Sequence, residues 1–462
     1  MKKNKMGIMP IPKLILTMSM PAIISMMVQA LYNFVDSLFV AQVGEDALKA
    51  VSLAFPIQLV LIAAFVGLGI GINSSVSRKL GEGDYESAVN IAEHGYILAG
   101  ILYIFVALLG VFFVDDFFRW FTDDPLVLEY GITYSRIILI GSFGRIFAQA
   151  GMSILQGSGE MKKPMVAQLI GAITNIVLDP IMIFGLFGFP RLGVAGAAIA
   201  TVTAQFISML FVFYTLFRGE NYIKLNLKQF KYQSKIVRNI LLVGLPAAIM
   251  QGLVAVMLTV LNKTLSNIDE TSVAVLGIYY RLQSLVFMPV FGISQGTMPV
   301  IGFNFGARNK ARVTGALKFA GLMAFSYMML GFIIFQVFTE PLLLMFNSSQ
   351  AMIDIGLVAF KRISLMFPFV AITIVISTAF QGMGKAHYSM IVTIIRQIFI
   401  LLPLASYLGN NYGIDYLWYA FLIAEIIGLG LALYYYQKVY RHTLRNWSPI
   451  EEDTNEINFM ER

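Results

Sequence analysis

The sequence predicts an all-α polytopic membrane protein of twelve transmembrane helices in two six-helix, pseudo-symmetric lobes. Three observations carry this: composition, run length and an internal repeat. Apolar residues make up 58% of the 462-residue chain and charged residues only 13%, about half the charged share of a soluble domain. The apolar residues fall in continuous runs long enough to cross a bilayer as helices. They do not alternate, which argues against a barrel.

Charge, glycine and proline breaks divide these runs into segments at 14–41, 48–75, 91–114, 127–155, 165–188 and 193–217, then 237–262, 272–302, 316–339, 354–381, 388–409 and 414–438. With the N-terminus inside, one set of loops holds Lys2, Lys3, Lys5, Lys13, Arg78, Lys79, Lys162, Lys163, Arg308, Lys310, Arg312, Lys385, Arg441 and Arg445. The long loop 218–238 falls on the same side. The opposite loops hold only Lys49, Arg119, Arg191 and Lys263. This asymmetry predicts that both termini are cytoplasmic in a bacterial inner membrane. The resulting domains are an N-terminal lobe (1–217), a cytoplasmic linker (218–236), a C-terminal lobe (237–440) and a polar tail (441–462).

The chain has no cysteine, so disulfides and thiolate metal sites are excluded. His94, His387 and His442 are too scattered to share a metal. The net charge of +7 fits basic loops beside anionic lipid rather than nucleic-acid binding.

The repeat appears on shifting the chain by 225 residues. Pro21 and Ala22 then meet Pro246 and Ala247, Gly67 and Gly71 meet Gly292 and Gly296, and Gly81 meets Gly306. Gln156, Gly157 and Gly159 meet Gln381, Gly382 and Gly384. Six crossings per half put both halves in the same orientation, as in transporters with parallel repeats and a site at or near the repeat interface.

Polar residues inside the runs nominate the site. "LYNFVDSLFV" (31–40) places Asp36 in the first span, where a carboxylate costs about 3 kcal/mol on insertion scales. Ser25, Gln29, Asn33 and Asp36 recur at three- and four-residue spacing and form one stripe. The fifth span aligns Gln168, Asn175 and Asp179, and the sixth aligns Thr201, Gln205 and Ser208. Asp36, Asn175, Asp179 and Thr201 supply carboxylate, amide and hydroxyl oxygens, donors suited to a proton or a hard cation such as Na⁺. Two carboxylates at close quarters in low dielectric favour sharing a proton, which is the chemistry of a coupling site. The C-terminal half lacks this cluster. Its membrane acid is Glu425, which either attracts a cationic substrate or pairs with Arg396 or Arg281. Gln29, Asn33, Gln205, Gln251, Arg281, Arg396 and Glu425 are the substrate-cavity candidates.

Two other signals are weaker. "DDFFRWFTDD" (115–124) pairs acids in an outer loop and reads as a solvated segment. "GLGIG" (67–71) lies within a span and reads as close helix packing.

"LYNFVDSLFV", "TNIVLDPIMIFG", "GVAGAAIAT", "LQGSGEMKKP" and "FQGMGK" resemble recurring segments of the multidrug and toxic compound extrusion (MATE) family over essentially the whole chain. The resemblance implies two six-helix lobes around a V-shaped cavity and drug efflux driven by inward flow of Na⁺ or H⁺. It places the cation site at Asp36, Asn175, Asp179 and Thr201. The family's subgroup with extra carboxylates in the seventh and tenth helices has no match here, where those helices carry Gln251 and no membrane acid.

The expectation is therefore a secondary active exporter of hydrophobic, cationic compounds, not an enzyme, working by alternating access. It needs no cofactor beyond the coupling ion, H⁺ or Na⁺. Its partners are drug-like small molecules and the bilayer, without nucleic acid, and a monomer is expected. The alternative is a flippase-like exporter of a lipid-linked or amphipathic substrate, which favours a basic cavity with Arg136, Arg145, Arg281 and Arg396 facing inward.

Overall fold

The computed structural model describes residues 4–218, 221–225, 230–346 and 349–447, without the side chains of Asn33, Phe34 and Ser37. Most of the 441–462 tail lies outside the described residues. Ten helices are long and apolar enough to cross a membrane, and two bent pairs bring the number of spans to twelve among the described residues.

In the first half these are α1 (Ile11–Ala41), α2 (Glu45–Gly81), α3 (Tyr85–Phe112), α4 (Pro125–Ile140 with Phe143–Gly157), α5 (Lys162–Phe184) and α6 (Gly193–Arg218). The second half holds α7 (Ser234–Ile268), α8 (Glu270–Gly306), α9 (Lys310–Val337), α10 (Gln350–Ser364 with Phe367–Gly382), α11 (Ala386–Tyr412) and α12 (Tyr419–His442).

The repeat is visible in local stereochemistry. The α2–α3 turn places Gly83 at φ +76°, and Asp84 caps α3 by accepting from the Ser87 amide. The α8–α9 turn places Arg308 at φ +55°, and Asn309 caps α9 by accepting from the Arg312 amide. An Asx side chain at each N-cap satisfies amides that the helix cannot. The bent pairs also correspond: α4 breaks by 42° and α10 by 46°. The halves diverge at α11, which contains a π-helical stretch, Ile395–Leu401.

Glycines shared by the repeats form the seam between the lobes. A Cβ on Gly67 would lie 2.6 Å from the Gly244 carbonyl of α7, and one on Gly292 would lie 2.6 Å from Ile23 Cα of α1. Gly71 packs on Ile240, and Gly296 on Met18 and Ser19. At the helix ends Gly81 abuts the Phe303 carbonyl and Gly306 abuts the Arg78 carbonyl. Only glycine lets backbones approach this closely. Ser74 Oγ donates to the Gln381 carbonyl at 2.6 Å across the same seam. The N-terminal segment straddles both halves: Asn4 Nδ2 donates to the Ser158 carbonyl at 3.2 Å, while the Met6 carbonyl accepts from Asn304 and Arg312 at 3.0 Å each. All of these contacts lie in the half of the bundle whose end carries Arg78, Lys79, Arg308 and Lys310.

The linker is anchored on the first half. His94 Nδ1 donates to the Asn90 carbonyl at 2.8 Å, and its Nε2 accepts from the Gln233 amide at 2.9 Å. Phe230 and Tyr232 pack on the same ring, with centroids at 4.7 and 5.8 Å. His94→Ala removes both hydrogen bonds and the ring surface, at about 1–3 kcal/mol for the stranded groups. Trypsin should then cut at Lys231 and Lys235 roughly tenfold faster than in the parent protein, read by gel time course.

Candidate functional site

The site grows from α5. Asn175 and Asp179 stand one helical turn apart, both buried (2% and 0% exposed). Pro180 follows directly; it has no N–H, so the Ile176 carbonyl lacks its usual helical donor. Gly196 lets α6 come against the Met182 carbonyl of α5, which brings Thr201 opposite Asn175. Asn175 Nδ2 donates to Asp179 Oδ1 at 3.1 Å and to Thr201 Oγ1 at 3.3 Å. Asp36 of α1 reaches within hydrogen-bonding range of Asp179. The structure therefore brings Asp36, Asn175, Asp179 and Thr201 together.

The contact between the two acids determines what the cluster can do. Two carboxyl groups attract only if a proton lies between them or a cation neutralises them. Asn175 Oδ1 and Asp179 Oδ2 are buried and, among the described residues, have no hydrogen-bond partner. Unpaired buried acceptors beside two carboxyls fit a proton or a hard monovalent cation. No group of three or more His, Cys, Asp or Glu gathers among the described residues, so the ligand set is mixed oxygen rather than imidazole or polycarboxylate.

A cavity open on one side adjoins the cluster, between α1, α4, α5 and α6. Asn175 and Thr201 belong to both, so the wall of the cation cluster is also a wall of the cavity. Gln29, Tyr32, Arg145 and Gln205 also line it. Tyr32 was not among the candidates read from sequence, although it stands three residues after Gln29 and four before Asp36. Arg145 lies over the Phe65 ring, 4.9 Å from its centroid.

The other candidates lie elsewhere. Gln251 and Arg281 are exposed on the second half, and the Asn33 side chain lies outside the described residues. Glu425 pairs with Arg396 rather than Arg281: Arg396 Nη1 donates to Glu425 Oε2 at 2.5 Å, with Glu425 almost fully buried. Gly428 gives the Arg396 stem room to cross from α11 to α12. Arg136 is paired with Asp115 at 2.8 Å, both partly exposed. Among the four arginines a basic cavity would need, Arg145 alone lines it.

Of the roles open to Glu425, the structure shows the pair with Arg396. Glu425→Gln leaves the partly buried guanidinium without its counter-charge, a change that costs about 1–3 kcal/mol. The thermal midpoint in detergent should fall clearly, and Arg396→Gln in the same chain should restore much of the loss.

The MatE family model matches residues 21–181 and 246–407. The two matches begin 225 residues apart, the offset of the repeat in both sequence and cap geometry. A probable multidrug resistance protein, NorM, of Thermotoga maritima is 28% identical over 427 residues, covering 90% of each chain. An FAD transporter of Shewanella oneidensis is 26% identical over 439 residues, covering 94% of this chain and 96% of its own. Among solved structures, an outward-facing multidrug resistance MATE family transporter superposes with TM-score 0.90 at 29% identity, covering 96% of this chain and 99% of that one. A MOP superfamily transporter from Pyrococcus furiosus gives the same values. With the family model matched once in each half and the two-lobe frame shared with solved members, this chain belongs to the MATE family of efflux transporters.

Proposed function

We propose that this protein exports aromatic, drug-like compounds, cations included, in exchange for H⁺ or Na⁺ held by Asp36, Asn175, Asp179 and Thr201. The observation that carries this reading is the shared wall: Asn175 and Thr201 serve both the acid pair and the cavity. A cation arriving at the pair pulls on Asn175 and Thr201 and so alters the cavity that holds the solute. Such coupling is reciprocal, so a bound solute weakens the cation to the same degree. Relatives named as multidrug exporters support the substrate range.

The basic end of the bundle is the cytoplasmic one on the positive-inside rule. A glycine seam at that end then closes the cytoplasmic side, in keeping with the outward-facing relative. Both termini are cytoplasmic in this orientation, and the chain works as a monomer in a bacterial inner membrane. A single unpaired arginine in the cavity gives little support to a lipid-linked substrate, which would ask for several.

Proteoliposomes given a Na⁺ gradient or a pH gradient separately should drive ethidium transport under one of the two. Ethidium that moves under neither gradient would refute the exchange mechanism.

A further inference from the structure

Arg145 is left over by ion exchange. It lines the cavity, yet among the described residues it makes no hydrogen bond and no ion pair; the ion pairs of Arg136 and Arg396 are with acids elsewhere. A guanidinium stays charged at any physiological pH and carries five donors. The Arg145 guanidinium lies over the face of Phe65, 4.9 Å from the ring centroid. A cation–π contact uses no N–H, so the guanidinium donors remain without a protein acceptor among the described residues. A charge kept unpaired inside a membrane protein marks a ligand pathway by default.

The rest of the wall fits the same kind of ligand. Gln29, Gln168 and Gln205 carry amide N–H donors. Tyr32 and Met152 supply an aromatic and a soft apolar surface. Asn175 and Thr201 belong to the same wall and connect the cavity to the acid pair.

We infer that Arg145 is the anion-recognition residue of this cavity, which takes planar aromatic solutes bearing a carboxylate, phosphate or sulfonate. The acidic group sits on the guanidinium, and the ring packs against Tyr32 and Met152. This inference rests on the cavity being the transport cavity. It widens the substrate class beyond the cations expected from sequence, because a fixed positive charge in the wall gives an acidic group a partner there.

Fluorescein and rhodamine 123 test it, since both present a xanthene ring and they differ in charge. Binding of each to the purified full-length protein is followed by fluorescence polarisation. A charge-assisted pair should favour fluorescein by roughly tenfold or more in the parent protein. Arg145→Gln should erase that preference while leaving rhodamine 123 binding no weaker, and Arg145→Lys, which keeps the charge but loses the fork, should retain part of it. If Arg145→Gln does not fold, Arg145→Lys decides: an undiminished preference overturns the proposal. It is also overturned if the parent protein binds rhodamine 123 as tightly as fluorescein, binds no fluorescein, or keeps its preference in Arg145→Gln. Gradient-driven ethidium transport is read separately, so a failure of ion exchange is distinguishable from a failure of anion recognition.

Discussion

Asp36→Asn and Asp179→Asn each reduce gradient-driven export by about 5- to 150-fold, the range of a lost coupling free energy of about 1–3 kcal/mol. Asparagine keeps the size of aspartate, so the helices pack as before and the purified variants elute as the parent does. The changed quantity is charge. With one carboxyl gone, the pair can no longer alternate between a bound cation and a released one, and Asn175 receives no signal to pass to the cavity. Thr201→Ala removes one oxygen, the acceptor of the Asn175 amide at 3.3 Å, and is the milder change. Dye efflux from cells at matched expression checks the order. Export that persists in either Asp variant at the parent rate would show that the pair is not the coupling site.

Gly81→Val and Gly306→Val shift the conformational equilibrium toward a bundle open at its basic end. Side chains at these positions would overlap the Phe303 and Arg78 carbonyls, and backbone atoms cannot swing away as flexible side chains do. Overpacking of this kind costs about 1–3 kcal/mol, which changes the population of the open state by about 5- to 150-fold. Because the chain has no cysteine, a single Ser77→Cys reporter gives a clean readout. Ser77 is fully buried in the seam and faces Gly302. A membrane-impermeant maleimide should label the introduced thiol slowly in the otherwise parent chain and faster in both valine variants. Equal labelling rates would mean that the seam does not open. The two variants should behave alike, since they are equivalent positions of one repeat.

Much of this was legible from spacing. Helical periodicity aligned Gln29 with Asp36, Gln168 with Asp179, and Thr201 with Gln205, and the energetic cost of membrane carboxylates singled out the two acids. Periodicity could have added Tyr32, which shares the α1 stripe. It could not pair stripes on different helices. Nothing in the sequence told that Arg145 would stack on Phe65 from α2, or that Glu425 would take Arg396 and not Arg281. Those choices depend on helix rotation and on one small residue, Gly428, opening a path. The glycine repeat was equally plain at an offset of 225 residues. Its role as the seam was not, because the partners of Gly67, Gly71, Gly81, Gly292, Gly296 and Gly306 lie on the opposite half. His94 lacked any spacing signal, since its two partners are backbone groups.

The central claim is that the Asp36–Asp179 pair exchanges a cation, and infrared difference spectroscopy on the purified protein tests it without any substrate. The carboxyl C=O band is recorded while pH is stepped in the absence of Na⁺, and again while Na⁺ is added at fixed pH. A band that responds to one of these steps, and disappears in both Asp36→Asn and Asp179→Asn, is the predicted result. A difference spectrum that is the same in the parent protein and both variants would contradict the account.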